Sequence, residues 1–426
     1  MLVAGSVGVL ATPAGVRAAP GDGRPTKVTG AASPTGAPVL TSGEYVDAIA
    51  TDQPRHYTVD LAAGVTLHFT PTLIRPAAAF GEGIKDELEI RLETAAGEKC
   101  GSTNDDVDQS TLVVPLSVPI QLDPAGPKVT WQSPFDATPC GKPGKYVVRV
   151  TRVGQDPDSA VADDQRDESL PLELTVLVEP PADATGLPPP VATLPPDAPN
   201  AFVPPAPDFT GSARATSGGA GYSDAPVLSP GLFSATIAGG ETRYWKVPLQ
   251  WGQRLSYGVR FEPAPLLDSS APVRTWVVNR VRASVKELDA HASTTYDGDA
   301  DEVSVLRNHT VPVHYTNRRA DPDNQHVRPV HLAGWYYIVV QMEPDAELTR
   351  VEARIQLAIT VLGQRSGVPA YRRVQGAATP ESLLAGRRTP LELRPRTLLI
   401  AGGVAALVVA GLLVVAPWLR LRRHPR

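Results

Sequence analysis

Apolar and polar residues alternate along most of this chain in short runs with a period of two. In Glu87–Leu92, Leu88, Ile90 and Leu92 fall on one side, and Glu87, Glu89 and Arg91 on the other. That is the pattern of a strand with one face in a core and one in water. Similar runs are His56–Leu61, Val65–Phe69, Leu112–Val114, Tyr146–Val150 and Leu172–Val178, bounded by Gly, Pro and Asp. Long helical periodicity is missing from this part. The pattern predicts an all-β chain.

One stretch breaks the pattern. Thr397–Leu419 carries no charge anywhere along its length and is followed by Arg420, Arg422, Arg423 and Arg426. As a helix it would span roughly 34 Å, against about 30 Å for a bilayer's hydrocarbon core. It reads as a single transmembrane helix, 397–419, with 420–426 as a cytoplasmic basic tail. At the other end, 1–18 reads as a truncated signal-peptide-like segment. Leu2–Ala11 is its apolar run and Val16-Arg17-Ala18 fits cleavage before Ala19, but a basic leading region is missing. The two features together predict export, with the domains outside the cell and the tail inside.

The strand pattern occurs twice. Ala37–Leu67 aligns without a gap against Ala225–Leu255, matching Gly43 with Gly231, Arg55 with Arg243, Tyr57 with Trp245 and Val59 with Val247. PGKYVVRV (Pro143–Val150) corresponds to AGWYYIVV (Ala333–Val340), and Leu172–Val178 to Ile355–Val361. Repeats of this length are copies of one domain rather than solenoid units. The copies are assigned to 37–178 and 225–362, with Tyr57 and Trp245 expected at equivalent core positions. Between them, 179–224 reads as a Pro/Gly-rich linker, since proline recurs singly, in pairs and in a triplet throughout Pro180–Pro207. Such a composition favours an extended polyproline spacer. After the second copy, 363–396 reads as an Arg-rich stalk.

The Pro/Ala-Gly-x-Tyr start of an apolar strand, in both PGKYVVRV and AGWYYIVV, resembles the bacterial pre-peptidase C-terminal domain. So does the opening of each copy. There Gly43 and Gly231 precede Arg55-His56-Tyr57 and Arg243-Tyr244-Trp245, an arginine and two aromatic rings leading into an alternating strand. The resemblance covers both copies and so most of the exported part. It implies two tandem jelly-roll-like β-sandwich domains of a secreted protein. This chain departs from the pattern in carrying no peptidase unit and in its long insertion Asp268–Asp323.

The formal net charge of −5 argues against a general nucleic-acid binder. It hides an asymmetry, since residues 365–426 hold eleven arginines against Glu381 and Glu392. Arg365, Arg372, Arg373, Arg387, Arg388, Arg394 and Arg396 would crowd the outer membrane surface and can meet anionic headgroups. Only two cysteines occur, Cys100 and Cys140, and in an exported chain they most simply pair as a disulfide.

Local catalytic signatures are absent: no GxSxG, HExxH, CxxC or GxxxxGK[ST] occurs. Asp105, Asp106 and Asp108 in one loop, and Asp297, Asp299, Asp301 and Glu302 in another, can offer oxygens to Ca²⁺ or stand as solvated acidic turns. Neither cluster has the glycine and terminal glutamate of an EF-hand. His291, His309, His314, His326 and His331 share one insertion and read as exposed loop histidines rather than a metal set. No cofactor is expected beyond that calcium candidate. The function expected is a non-catalytic single-pass surface protein, presenting two binding modules to an envelope polymer or a protein partner. The alternatives are an accessory spacer subunit of a membrane complex and, less, an enzyme with a non-local site.

Overall fold

The computed structural model describes residues 25–74, 86–107, 111–113, 116–119, 142–154, 169–191, 204–263, 270–288, 291–298, 304–343 and 352–382. The signal-like segment 1–18, Cys140 and the apolar stretch 397–419 lie outside them. Among the described residues no helix is long and apolar enough to cross a membrane. The described chain is all-β, in several sheets, with a 3₁₀ turn at Tyr315–Arg319.

A first pair of sheets contains β1 (Thr26–Lys27), β2 (Val39–Leu40), β3 (Gly43–Ile49), β4 (Arg55–Leu61), β5 (Thr66–Ile74) and β6 (Asp86–Thr94). It continues with β7 (Lys99–Val107), β8 (Thr111–Val113), β9 (Leu116–Pro119), β10 (Gly144–Val153) and β11 (Leu170–Glu179). One sheet runs β1-β3-β11-β5-β8, with β9 also on β5; the other runs β2-β4-β10-β6-β7. Alternation decides what lies between them. Tyr57, Val59, Leu67, Phe69, Leu88, Ile90, Leu92, Val148 and Leu172 are all fully buried in one core. Removing that apolar surface from water is the main stabilising term, at about 25 cal/mol per Å².

After β12 (Ala182–Asp183) comes a second pair with β13 (Arg214–Ala215), β14 (Gly231–Ala238), β15 (Thr242–Leu249), β16 (Arg254–Phe261) and β17 (Ala271–Val278). Then follow β18 (Ser284–Val285), β19 (Ser293–Tyr296), β20 (Val305–His309), β21 (Gly334–Met342) and β22 (Glu352–Leu362), with β23 (Ala370–Tyr371) beyond them. Its sheets run β13-β14-β22-β16-β20 and β15-β21-β17-β18, with β19 also on β17.

The pairings repeat. Thr26↔Tyr45 recurs as Arg214↔Phe233, Val39↔Thr58 as Val227↔Lys246, and Ala31↔His56 as Gly219↔Tyr244. Every residue is shifted by the offset that relates Ala37 to Ala225. Further along, Val148↔Tyr57 corresponds to Ile338↔Trp245, and Phe69↔Val176 to Tyr257↔Ile359. The correspondence starts at Thr26 and Arg214, ahead of the aligned blocks that open at Ala37 and Ala225.

Tyr57 and Trp245 are both fully buried, and each is capped by a glycine. A Cβ at Gly30 would lie 2.9 Å from the Tyr57 ring, and one at Gly218 2.9 Å from the Trp245 ring. The polar partners differ. The Tyr57 hydroxyl donates to Asp47 Oδ2 at 2.7 Å, and Gly30 N donates to the same oxygen at 2.7 Å. Asp47 is matched in the second copy by buried Ala235, and Trp245 Nε1 has no hydrogen-bond partner among the described residues.

The segments flanking the second pair are packed where they are described. β12 pairs with β23, Thr316 Oγ1 donates to Pro188 O at 2.5 Å, and Val191 N donates to Asn317 Oδ1 at 3.0 Å. Leu187 and Val191 lie against the second core. Backbone groups here are tied to side chains of the insertion while the aliphatics cover apolar surface, so residues 180–191 are not an extended spacer. Within the predicted stalk, Ser366 N donates to Trp251 O and Ala378 N to Val178 O, while Val374 and Ala377 pack on the first core. Residues 363–382 are therefore folded onto the sheets.

Candidate functional site

Two places bring chemistry-bearing side chains together: a buried contact between the sheet pairs and an open groove on the second.

The outer face of β3-β11-β5 carries Glu44, His68, Thr70, Glu173, Thr175 and Glu179, opposite the core-facing Leu172, Leu174 and Val176. By alternation alone this polar face belongs in water. It is buried instead: His68 is 2 % exposed, Glu173 7 % and Glu179 1 %. The turn between β17 and β18 covers part of it. Asn279 Oδ1 accepts from Val281 N and Ala283 N, which shapes the turn, and Val281 O accepts from Thr70 Oγ1 at 2.7 Å. Arg282 stands at φ 64°, a region that costs a non-glycine residue about 1 kcal/mol or more. Its guanidinium lies 4.3 and 4.0 Å from the ring centres of Tyr222 and Tyr337, and 4.0 Å from Glu44 Oε1. Burial lowers the Arg282 pKa, but the nearby Tyr337 and Glu44 outweigh it and the net shift is upward. Burial pushes the Glu173 carboxyl up.

The 3₁₀ turn supplies the other clamp. Arg318 grips Glu179 with two bonds, Nη2 to Oε1 at 2.7 Å and Nη1 to Oε2 at 3.0 Å. Tyr371 Oη donates to Oε1 at 2.8 Å, and His68 Nε2 lies 3.1 Å from Oε2. Burial would raise the Glu179 pKa, but Arg318 and the hydrogen bonds hold it well below the usual carboxylate range. A carboxylate engaged by three side chains and closed to solvent is a fastener, not a general base.

His331 lies beside this cluster, its ring centre 6.2 Å from that of His68 and tilted 37° to it, and its Nδ1 lies 2.7 Å from Arg328 O. Burial, then the charges of Arg318 and His68, push its pKa down to about 3. Between about pH 6.5 and 3 the unfolded chain therefore holds a proton that the folded chain refuses, so stability falls as pH falls, by up to about 1.4 kcal/mol per unit. Glu179 acts in the same direction below its ordinary value, and Glu173 acts oppositely. His331→Asn, which keeps a donor for Arg328 O, is expected to flatten the urea midpoint between pH 6.5 and 5. An unchanged slope would place the titration elsewhere.

The groove lies beside β19 and β20. Residues 204–210 cross β16 where a Cβ at Gly258 would stand 2.5 Å from Pro207 Cγ, so a glycine there admits the strap. Asp208 Oδ1 accepts from Thr210 N and Oγ1, which stiffens the strap, and Arg260 lies 4.9 Å from the Phe209 ring centre. The groove has a volume of about 650 Å³ and is lined by Pro207 and Phe209 from the strap and by His291, Thr294, Thr295, Asp297, Ser304 and Arg307. Arg307 Nη2 lies 3.0 Å from His291 Nδ1.

Of the residues singled out from sequence, His291 and Asp297 meet at this groove. Asp105 and Asp106 do not sit in a loop: they are paired residues of β7, opposite Leu88 and Glu87. Asp108, Asp299, Asp301 and Glu302 lie outside the described residues. Among the described residues no three of His, Cys, Asp and Glu converge as a metal set. The expectation of exposed loop histidines holds for His291 alone. His309 ends β20 at 7 % exposure, while His314, His326 and His331 are partly covered. The segment from Val311 to Val330, the end of the insertion and the residues just after it, folds back over the second core through Val311, Val313, Tyr315, Val327 and Val330. Cys100 is buried in the first core; Cys140 lies outside the described residues.

Sequence reasoning missed Glu179, Glu173, Arg282 and Arg318. A usable signal was β21, GWYYIVVQM, apolar along nearly its whole length and buried on both faces. A strand of that kind needs a cover on its second face as well.

No family model matches the chain, and no curated protein matches it. Solved structures similar to it include tripeptidyl peptidase 2, at 9 % identity and a TM-score of 0.21, covering 83 % of this chain. This chain spans 28 % of that peptidase. The CBM22-1–CBM22-2 tandem domain of Paenibacillus barcinonensis Xyn10C is 8 % identical, with a TM-score of 0.18 over 76 % of this chain and 87 % of that one. A secreted protein from Parabacteroides distasonis is 8 % identical, with a TM-score of 0.17 over 76 % and 90 %. At these TM-scores the likenesses carry no functional argument.

Proposed function

We propose that the chain is an exported, membrane-held, non-catalytic binding protein whose second sheet pair takes a strand of envelope polysaccharide in the groove at Phe209. In this reading each sheet pair is a jelly-roll-like β-sandwich akin to pre-peptidase C-terminal domains. Cys100 bonds Cys140, and 397–419 anchors the whole with its tail inside. The observation that carries the ligand class is the lining of the groove. It sets one aromatic ring among hydroxyls, an imidazole, a carboxylate and a guanidinium. Hydroxyl-rich polymers are held by such a mixture, with apolar ring faces on the aromatic and polar groups fixing orientation. Glu179 is closed by its partners and is a poor candidate for chemistry.

Binding of the full chain to purified bacterial cell-wall polysaccharide tests the proposal. Phe209→Ala and Thr294→Ala/Thr295→Ala are expected to weaken binding about tenfold or more while leaving the unfolding midpoint in place. Unaltered binding in both variants would sink the groove as the site. A second reading, a spacer subunit of a membrane complex, is favoured by the desolvated contact between the sheet pairs, which suits a rigid strut. Its mark would be a stoichiometric membrane partner that stays attached in the Phe209→Ala variant.

A further inference from the structure

Beyond β22 the chain makes a loop that the fold grips at both ends. Ser366 N donates to Trp251 O at 3.0 Å, Arg372 N donates to Pro181 O at 2.8 Å, and Tyr371 between them reaches Glu179. Held this way, the loop carries Val368 into solvent at 42 % exposure, one of three large apolar side chains exposed among the described residues. Arg365, Arg372 and Arg373 beside it are exposed too. No Asp or Glu occurs from Gln364 to Pro380. Asp183, in the strand paired with β23, offsets part of the charge of Arg372.

An apolar tip rimmed by permanent positive charge fits a surface that is anionic outside and apolar just beneath. A bilayer with acidic headgroups is such a surface, and long basic side chains there can meet phosphates while aliphatic groups enter the interface. A free phosphate ion would leave Val368 unused. The course of the chain agrees. Residues 383–396 separate Ser382 from the apolar segment at Thr397, and they include Arg387, Arg388, Arg394 and Arg396. That connection reaches at most roughly 50 Å when fully extended.

We infer that the loop 364–373 docks on anionic phospholipid headgroups, with Val368 in the interface and Arg365, Arg372 and Arg373 on phosphates. Docking would fix how the sheet pairs stand over the bilayer. The inference rests on the membrane-held reading above.

The test uses the full chain in lipid nanodiscs of phosphatidylcholine alone or with about 30 % phosphatidylglycerol, read by amide hydrogen exchange. Each basic residue near such a surface strengthens binding about fivefold. The amides of Gly367, Val368 and Ala370 are therefore expected to exchange at least tenfold more slowly in the anionic discs. The difference should vanish in R365Q/R372Q/R373Q and shrink in V368S, with strand amides unchanged in both. Equal exchange in the two discs for the parent chain would overturn the docking while leaving the anchor intact. Inorganic phosphate reproducing the slowing in neutral discs would assign the loop to free anions and overturn it as well. A folded chain that fails to enter either disc would remove the anchoring reading, and this inference with it.

Discussion

Replacing Arg318 with methionine is expected to destabilise the protein by about 3–5 kcal/mol, among the largest effects open to a single polar substitution here. The cause is what remains behind. Glu179 is 1 % exposed and is held by Arg318, Tyr371 and His68 in a space without bulk water. Without the guanidinium it is a buried carboxylate facing an imidazole and a phenol, and breaking one half of a buried pair costs that much. Lysine in place of Arg318 should recover only part of the loss, because a point charge cannot span both oxygens as the fork does. Glu179→Leu with Arg318→Met should recover most of it, since two apolar groups no longer carry the desolvation cost of either ion. Urea unfolding of the four proteins decides the matter. A loss under about 1 kcal/mol for Arg318→Met would mean that water reaches the pair and that the sheet pairs separate readily.

The same cluster shows where reading from sequence stops. The strands were legible because Leu88, Ile90 and Leu92 alternate with charges, and some of the pairings that recur, Val39↔Thr58 and Val227↔Lys246 among them, fall within the aligned blocks. Alternation states which face of a strand is polar, however, not whether that face meets water. In β11 the residues Glu173, Thr175 and Glu179 obey the pattern and are buried all the same, because the turn at 279–283 and the 3₁₀ turn at 315–319 come down upon them. Those elements belong to the second sheet pair, far along the chain, and no local pattern announces the approach. Proline density misled for a related reason. Composition describes an isolated segment, whereas Pro188 and Val191 are held by Thr316 and Asn317 from the long insertion. The groove was half legible: Asp297 and His291 stood out by type, but their meeting with Phe209 depends on where the strap crosses β16.

Trp245→Ala is expected to cost about 3–5 kcal/mol, the usual range for truncating a fully buried aromatic. Trp245 is 0 % exposed, sits opposite Ile338 in the ladder, and has Gly218 against its ring. A loss under about 1 kcal/mol would show that the neighbouring strands collapse into the space. The more searching variant borrows from the first copy. Trp245→Tyr alone should also destabilise, because its hydroxyl would face Ala235 where Tyr57 faces Asp47. Adding Ala235→Asp supplies the acceptor, and Gly218 N can then donate to it as Gly30 N donates to Asp47. A buried phenol–carboxylate bond of this kind is worth about 1.5–3 kcal/mol. The double-mutant cycle of Ala235→Asp and Trp245→Tyr should therefore show favourable coupling of at least about 1 kcal/mol, with Ala235→Asp alone strongly destabilising. Coupling near zero would mean that the correspondence between the copies holds for backbone pairing and not for the packing beneath it.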